Sequence, residues 1–245
     1  MNRDVTGPTR ETIPYEEALA LQQSLIQRRV AGEIDDLLWL LEHPPTITWG
    51  SAGRGAESDN ECEDEVGPSG HLLLSEREYA RRGIRVYQTN RGGDVTCHEP
   101  GQLVVYPMLQ LREGPERDLH LYLRTLECAL IDVLQSLGLR TVRVADRTGV
   151  WVEGDPARKV AAIGVRATKW VTSHGAALNV YNSLEGFSTI VPCGISDAEV
   201  TSLEREIGRE SVPEWDALCA CVHSAMESAF DRPLRLVLGS AARGL

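Results

Sequence analysis

This 245-residue chain contains no apolar run near the roughly 18 residues that a membrane helix needs, which argues against a span of that kind. Its first residues, MNRDVTGPTRETIPYEEA, lack the basic, apolar, small-residue order of a secretory signal, so a cytoplasmic location is expected. The six cysteines, Cys62, Cys97, Cys128, Cys193, Cys219 and Cys221, are scattered and form no disulfide framework of the secreted kind. Cys219-x-Cys221-x-His223 falls in a helical pattern, where residues two apart point to different faces, so no metal site is expected there or elsewhere. There is no G-x-x-x-x-G-K-[ST], and no G-x-G-x-x-G opening a helix after a strand; no nucleotide or other cofactor is expected. A net charge of −11 excludes the basic surface that nucleic acid selects.

What is present is ordinary for a globular protein, with 42% hydrophobic and 25% charged residues. No linker or repeat divides the chain, so residues 1–245 read as one domain with a flexible N-terminus over 1–13 and a polar, acidic, glycine-rich loop over 50–70. Charge is uneven. From Ala52 to Glu78 eight acids face Arg54 and Arg77, whereas from Arg140 to Lys169 seven bases face Asp146, Glu153 and Asp155.

Pro14 followed by YEEALALQQSLIQRRVAG predicts a helix ending before Gly32. DLLWLLE and TITW predict strands, as do GIRVYQT and QLVVYP on either side of a glycine-bearing connection from Arg91 to Gly101. LHLYLRTLECALIDVLQSLG has helical spacing and a stop at Gly138. GVWVEGDPARKVAAIGVRA predicts a hairpin, and WVTSHGAALNV a further strand. SDAEVTSLEREIG, capped by Ser196, and PEWDALCACVHSAMESAF predict the closing helices. Strands adjoin one another more than they alternate with helices, which makes the class α+β.

Gly92-Gly93, Ala161-Ala162, Gly164 and Gly175-Ala176-Ala177 share small side chains that let another group lie close to the backbone. Tight strand packing and a bound molecule both satisfy that property. Among the thiols, Cys97 adjoins His98, but neighbours in a strand face opposite ways, so Cys97 reads as packing opposite a functional His98. Cys193 lies between Pro192, which fixes φ, and Gly194, which has no Cβ; a structural turn and an exposed nucleophile both fit. Lys159 begins a strand of small residues, where desolvation would tune its ammonium.

RGGDVTCHEPGQLVVYP, RKVAAIGVR, HGAALNV and IVPCGIS, in that order and spacing, resemble the motifs of the lipoyl(octanoyl) transferases, and LEHPPTITWG and VTSLEREIG fit the same family. The resemblance covers residues 15 to 208. It implies a single α+β domain with a mixed, largely antiparallel sheet flanked by helices, like the catalytic domain of biotin and lipoate protein ligases. It implies an acyltransferase that moves an octanoyl group from acyl carrier protein to a lysine of a lipoyl domain, in lipoate biosynthesis. The acceptors it implies are the lipoyl domains of 2-oxoacid dehydrogenase E2 subunits and the glycine cleavage H protein.

The family's nucleophile maps to Cys193, the P-C-G cysteine, and its partner to Lys159. Its acyl-substrate segment maps to Arg91, Gly92, Gly93, Asp94, Val95, Thr96, Cys97 and His98. Its other substrate contacts map to Ala162, Ile163 and Gly164, and to Gly175, Ala176 and Ala177. His98 and His174 are expected in the wall of the site, with oxyanion donors near Gly92-Gly93 or Gly194. Acidic carriers would dock on Arg140–Lys169. One departure stands out: the family usually reads H-G-P-G-Q, and this chain has His98-Glu99-Pro100-Gly101-Gln102. The rival readings are an ATP-dependent lipoate or biotin ligase of the same fold, a Cys–His thiol amidase, and a non-catalytic carrier-binding module.

Overall fold

The computed structural model describes residues 11–51, 71–191 and 199–245. Most of the expected N-terminal tail, all but the first two residues of the acidic loop, Cys193 and the Ser196 cap lie outside the described residues. Helix α1 spans Tyr15–Val30, α2 Glu76–Arg81, α3 Leu119–Ser136, α4 Leu203–Ile207 and α5 Trp215–Phe230. The strands are β1 Leu37–Leu41, β2 Thr46–Trp49, β3 Arg85–Gln88, β4 Val95–His98, β5 Gln102–Met108, β6 Thr141–Val144, β7 Arg147–Val152, β8 Arg158–Thr168, β9 Val171–Asn179, β10 Glu199–Val200 and β11 Arg235–Leu238.

The helix termini follow local chemistry. In α1, Pro14 sits at the cap, Glu16 and Glu17 occupy the first turn and Arg28 and Arg29 the last, each sign matching the helix dipole. In α3, Asp118 accepts from the His120 and Leu121 N–H groups at 2.8 and 3.2 Å.

The main sheet runs β11-β1-β5-β9-β8-β7-β6, with β10 added alongside β8; only β1–β11 and β10–β8 are parallel. Its central strands are covered on both faces, which explains their unbroken apolar runs. Leu38 and Leu40 of β1 and Leu103 and Val105 of β5 pack with Leu126 and Leu130 of α3 and Leu218, Val222 and Met226 of α5. The alternate residues, Leu37, Trp39, Leu41, Val104, Tyr106 and Met108, pack with Ala18, Leu25 and Ile26 of α1. A smaller sheet, β3-β2-β4, buries Ile47, Trp49, Val95 and Cys97 against Leu184, Phe187 and Ile190.

This is the α+β class read from the strand pattern, with three differences in detail. The connection from Arg91 to Gly101 contains a strand, β4, that pairs antiparallel with β2. The helix expected from residue 196 starts only at Leu203, where Ser202 Oγ accepts from Arg205 N–H, because Glu199 and Val200 are held as a strand against Arg158 and Lys159. Strands β6 and β11 and the short α2 are additions. No helix among the described residues is long and apolar enough to cross a membrane.

Candidate active site

The site is built on the β8–β9 pair. Ala162 faces Ala177, Ile163 faces Ala176 and Gly164 faces Gly175 across the strands, so small side chains leave a trough where larger ones would fill it. Segment 91–94 closes over that trough. Gly92 N–H donates to Val165 O at 2.9 Å, and a Cβ on Gly164 would stand 2.7 Å from Gly92 O and 3.1 Å from Arg91 Cδ. Gly164 is therefore the point at which β8 admits the loop.

Arg91 is buried, and its guanidinium turns inward, donating to Thr48 O at 2.8 Å, Asp94 O at 2.6 Å and Gly92 O at 3.0 Å. It curls the loop around its own charge. Gly92's N–H is engaged with β8, which removes it from the expected oxyanion donors.

Between loop and sheet lies a cavity of about 320 Å³. That is the low end for small-molecule sites and suits a single aliphatic chain. Arg91, Gly92, Gly93, Asp94, Val95, Thr96, His98, Lys159, Ala162, Ile163, Gly164, Gly175, Ala176 and Ala177 all line it, as does His174. Cys97 does not. It alternates away from His98 into the small-sheet core, and burial, followed by the nearby Glu99, pushes its thiol well above the usual range.

The wall also contains Tyr15, Tyr106, Leu123, Asp146, Arg147, Thr148 and Val165, which sequence reasoning missed. Tyr15 opens an ordinary amphipathic helix, and Asp146–Thr148 belong to the β6–β7 hairpin, of which β6 was not foreseen. Neither carries a local motif.

Lys159 is 5% exposed, and its ammonium stands 4.7 Å from the centre of the Trp151 ring. Val200 is its partner in β10, and Thr201 N–H donates to Lys159 O at 2.9 Å. The chain leaves the described part at Val191, whose N–H donates to His71 O at 2.9 Å. It re-enters at Glu199, one register position from Lys159. Cys193 falls within that interval.

The imidazoles beside the cavity are held neutral. Burial, aided by the nearby His43, lowers His98 to about 3; burial and the Arg91 charge lower His174 to about 4. His174 adopts a left-handed backbone with φ 56° and places Nε2 2.9 Å from Asn90 Oδ1. A non-glycine residue in that region is strained and persists because its surroundings hold it. Behind His98, His43 bridges Ile13 O at 2.6 Å and the Tyr106 hydroxyl at 2.9 Å, and burial lowers it to about 4.

The basic stretch Arg140–Lys169 is partly neutralised. Arg143 pairs with fully buried Glu127 at 3.0 Å, Arg158 with Glu206 at 2.8 Å and Arg140 with Glu153 at 3.4 Å. The docking face expected there narrows toward Arg166 and Lys169.

The fold of this α+β sheet, covered by helices on both faces, is shared with solved lipoate protein ligases. A lipoate protein ligase from Thermoplasma acidophilum, solved with bound lipoic acid, superposes with TM-score 0.67 at 15% identity, covering 96% of this chain and 91% of its own. A lipoate-protein ligase A bound with ATP superposes with TM-score 0.66 at 16% identity, covering 96% and 91%. Residues 14–224 match the family model for the lipoyl protein ligase A/B catalytic domain, and the chain belongs to that family.

Its curated relatives narrow the class to acyltransferases. An octanoyltransferase of Rubrobacter xylanophilus is 47% identical over 199 residues, covering 80% of this chain and 81% of its own. One of Acidobacterium capsulatum is 46% identical over 222 residues, covering 87% and 83%. One of Myxococcus xanthus is 44% identical over 200 residues, covering 80% of this chain and 52% of that longer protein.

Proposed function

We propose that the chain is a single catalytic unit that transfers an octanoyl group from acyl carrier protein to the lysine of a lipoyl domain, through a thioester on Cys193. The acceptors are the lipoyl domains of 2-oxoacid dehydrogenase E2 subunits and the glycine cleavage H protein, in the cytoplasm. The observation that carries the reading is the position of Lys159: it lines the apolar slot, and its strand pairs with the residues that directly follow the Cys193 interval.

In the first half-reaction Lys159, as the free amine, takes the Cys193 proton, and the thiolate attacks the carbonyl carbon of the carrier thioester. The bond to the carrier sulfur breaks, and that sulfur leaves with the proton from Lys159. In the second half-reaction the acceptor amine attacks the enzyme thioester, an amide forms, and Lys159 passes the amine's proton to the departing Cys193 sulfur. One thioester replaces another and an amide then replaces it, so no phosphate activation is called for.

The slot holds the acyl chain. Burial of six methylenes at about 0.8 kcal/mol each is worth roughly 5 kcal/mol, enough to select octanoyl over short acyl groups. The neutral histidines and raised tyrosines add no charge of their own beside the acyl chain; Tyr15 is pushed up to about 12 by burial. The relatives' names favour this transferase over an ATP-dependent ligase.

Incubation with octanoyl-acyl carrier protein in the absence of ATP, followed by intact mass spectrometry, is expected to show one octanoyl adduct. It should be lost in Cys193→Ala and discharged by a lipoyl domain. Acyl transfer that requires ATP, or free octanoate released regardless of acceptor, would replace this reading with the ligase or the amidase.

A further inference from the structure

The glutamate that stands in the H-E-P-G-Q turn is buried, and its carboxylate gathers three donors. Glu99 Oε1 accepts from Gly186 N–H at 2.6 Å; Oε2 accepts from Leu184 N–H at 2.9 Å and from the Asn182 side-chain amide at 3.3 Å. Leu184 is in the left-handed region, φ 66°, where a branched residue needs outside support. A Cβ at Gly186 would stand 2.8 Å from the Glu99 oxygen and 2.4 Å from Cys97 Sγ, so the glycine is what lets the backbone reach the carboxylate.

From Glu99 an amide relay runs to the cavity. A carboxylate only accepts, so Asn182 must present its NH₂, which also donates to Asn179 Oδ1 at 3.1 Å. Asn179 Oδ1 takes a second bond from Gln102 Nε2 at 2.9 Å, and Gln102 gives its other hydrogen to Cys97 O at 3.1 Å. Gln102 Oε1 is then an acceptor, and His98 Nδ1, 2.8 Å away, must carry the hydrogen. Asn179 Nδ2 donates to Thr201 O at 2.9 Å, and Thr201 N–H is the group bonded to Lys159 O.

We propose that Glu99 is a positioning residue. It holds Leu184, Gly186 and the Asn182 amide in place, and through the Asn182–Asn179–Gln102 relay, whose amides are also oriented by Thr201 O and Cys97 O, it braces His98 at the cavity and Thr201 beside Lys159. The proposal rests on the transferase reading for its effect on rate. It does not rest on it for the bracing of His98.

The test uses the full-length chain with Glu99→Gln and Glu99→Gly. Two readouts are taken: single-turnover acylation from octanoyl-acyl carrier protein, and ¹⁵N spectra of labelled histidines, His98 being assigned by its loss in His98→Gln. Glu99→Gln turns one acceptor into a donor facing backbone N–H groups. It is expected to slow acylation at least about tenfold at a donor half-saturation within about twofold of wild type, and to displace the His98 ¹⁵N resonances while they keep the Nδ1–H pattern that Gln102 Oε1 imposes. Glu99→Gly is expected to be slow and to regain at least about threefold with added formate, a carboxylate small enough for the vacated space.

Glu99→Gln acylating within twofold of wild type with unmoved His98 ¹⁵N resonances overturns the proposal. Should Glu99→Gln not fold, Glu99→Gly at full rate without formate overturns it equally. If the wild-type chain is never acylated, the transferase reading fails, and the ¹⁵N spectra of the same variants still decide the role of Glu99.

Discussion

Lys159 is 5% exposed, lies against a tryptophan face and has a strand on either side. In the proposed reaction its part is to move the Cys193 proton. Replacing it with alanine is expected to lower the single-turnover acylation rate by about 10² or more, with the donor KM nearly unchanged. Lys159→Arg should restore little, since a guanidinium keeps its proton at any working pH. A near-normal rate in Lys159→Ala at neutral pH would remove the base from the mechanism. At this scale the sequence was informative where chemistry is local. The K-x-A-A-x-G stretch marked Lys159 and the small-residue wall, and alternation along a strand separated Cys97 from His98. Tyr15 and Tyr106 could not be read, because they reach the cavity from α1 and β5 through contacts across the fold.

At the scale of elements, the β8–β9 pair sets the depth of the slot. Ala177→Leu, placed opposite Ala162, is expected to cut kcat/KM for octanoyl-acyl carrier protein at least about tenfold while leaving a butanoyl donor within about threefold, since only the longer chain competes for the space. Equal losses for both donors would mean that the pair does not line the acyl path. The β6–β7 hairpin, which contributes Asp146–Thr148, is fastened by the fully buried Glu127. That carboxylate pairs with Arg124 at 2.7 Å and Arg143 at 3.0 Å, and accepts from Gly149 N–H at 3.0 Å. Glu127→Ala leaves two half-exposed cations and a backbone donor without this acceptor and is expected to cost about 1–3 kcal/mol, read from the urea midpoint. Nothing in the helical pattern of α3 distinguishes Glu127 as a buried acid; besides Arg124 on the same helix, its partners lie on β6 and β7. The short α4 has a similar cause: sequence spacing favoured a helix from residue 196, and the tertiary pairing with β8 claimed Glu199 and Val200 as strand.

For the molecule as a whole, stability should follow the buried imidazoles. His43 and His174 are lowered to about 4 and His98 to about 3, so between pH 6.5 and about 4 the unfolded chain binds protons that the folded one refuses. Stability is therefore expected to be full above pH 6.5 and to fall as pH drops through that window. The arginine-paired carboxylates Glu116 and Glu206, with folded values lowered from 4.5, add their loss at the acid end, from about pH 4.5 downward. A Tm profile taken from pH 7.5 to 4.5 checks this, and a flat profile would mean that the histidines are not desolvated.

Acidic carrier proteins meeting Arg166 and Lys169 on an otherwise acidic chain should bind less well as salt rises. A donor KM unchanged between 50 and 300 mM salt would place docking elsewhere.

The pairing of Leu37–Leu40 with Arg235–Leu238 joins the first strand of the main sheet to the last, and Trp39 Nε1 donates to Gly239 O at 2.8 Å. During synthesis the flank of β1 therefore stays unmatched until Arg235–Leu238 emerge from the ribosome. A nascent or prematurely terminated chain carries an open, wholly apolar ribbon edge, the kind of template that recruits other chains. Truncation ahead of Arg235 should thus be seen first as aggregation in the cell, well before any question of turnover arises.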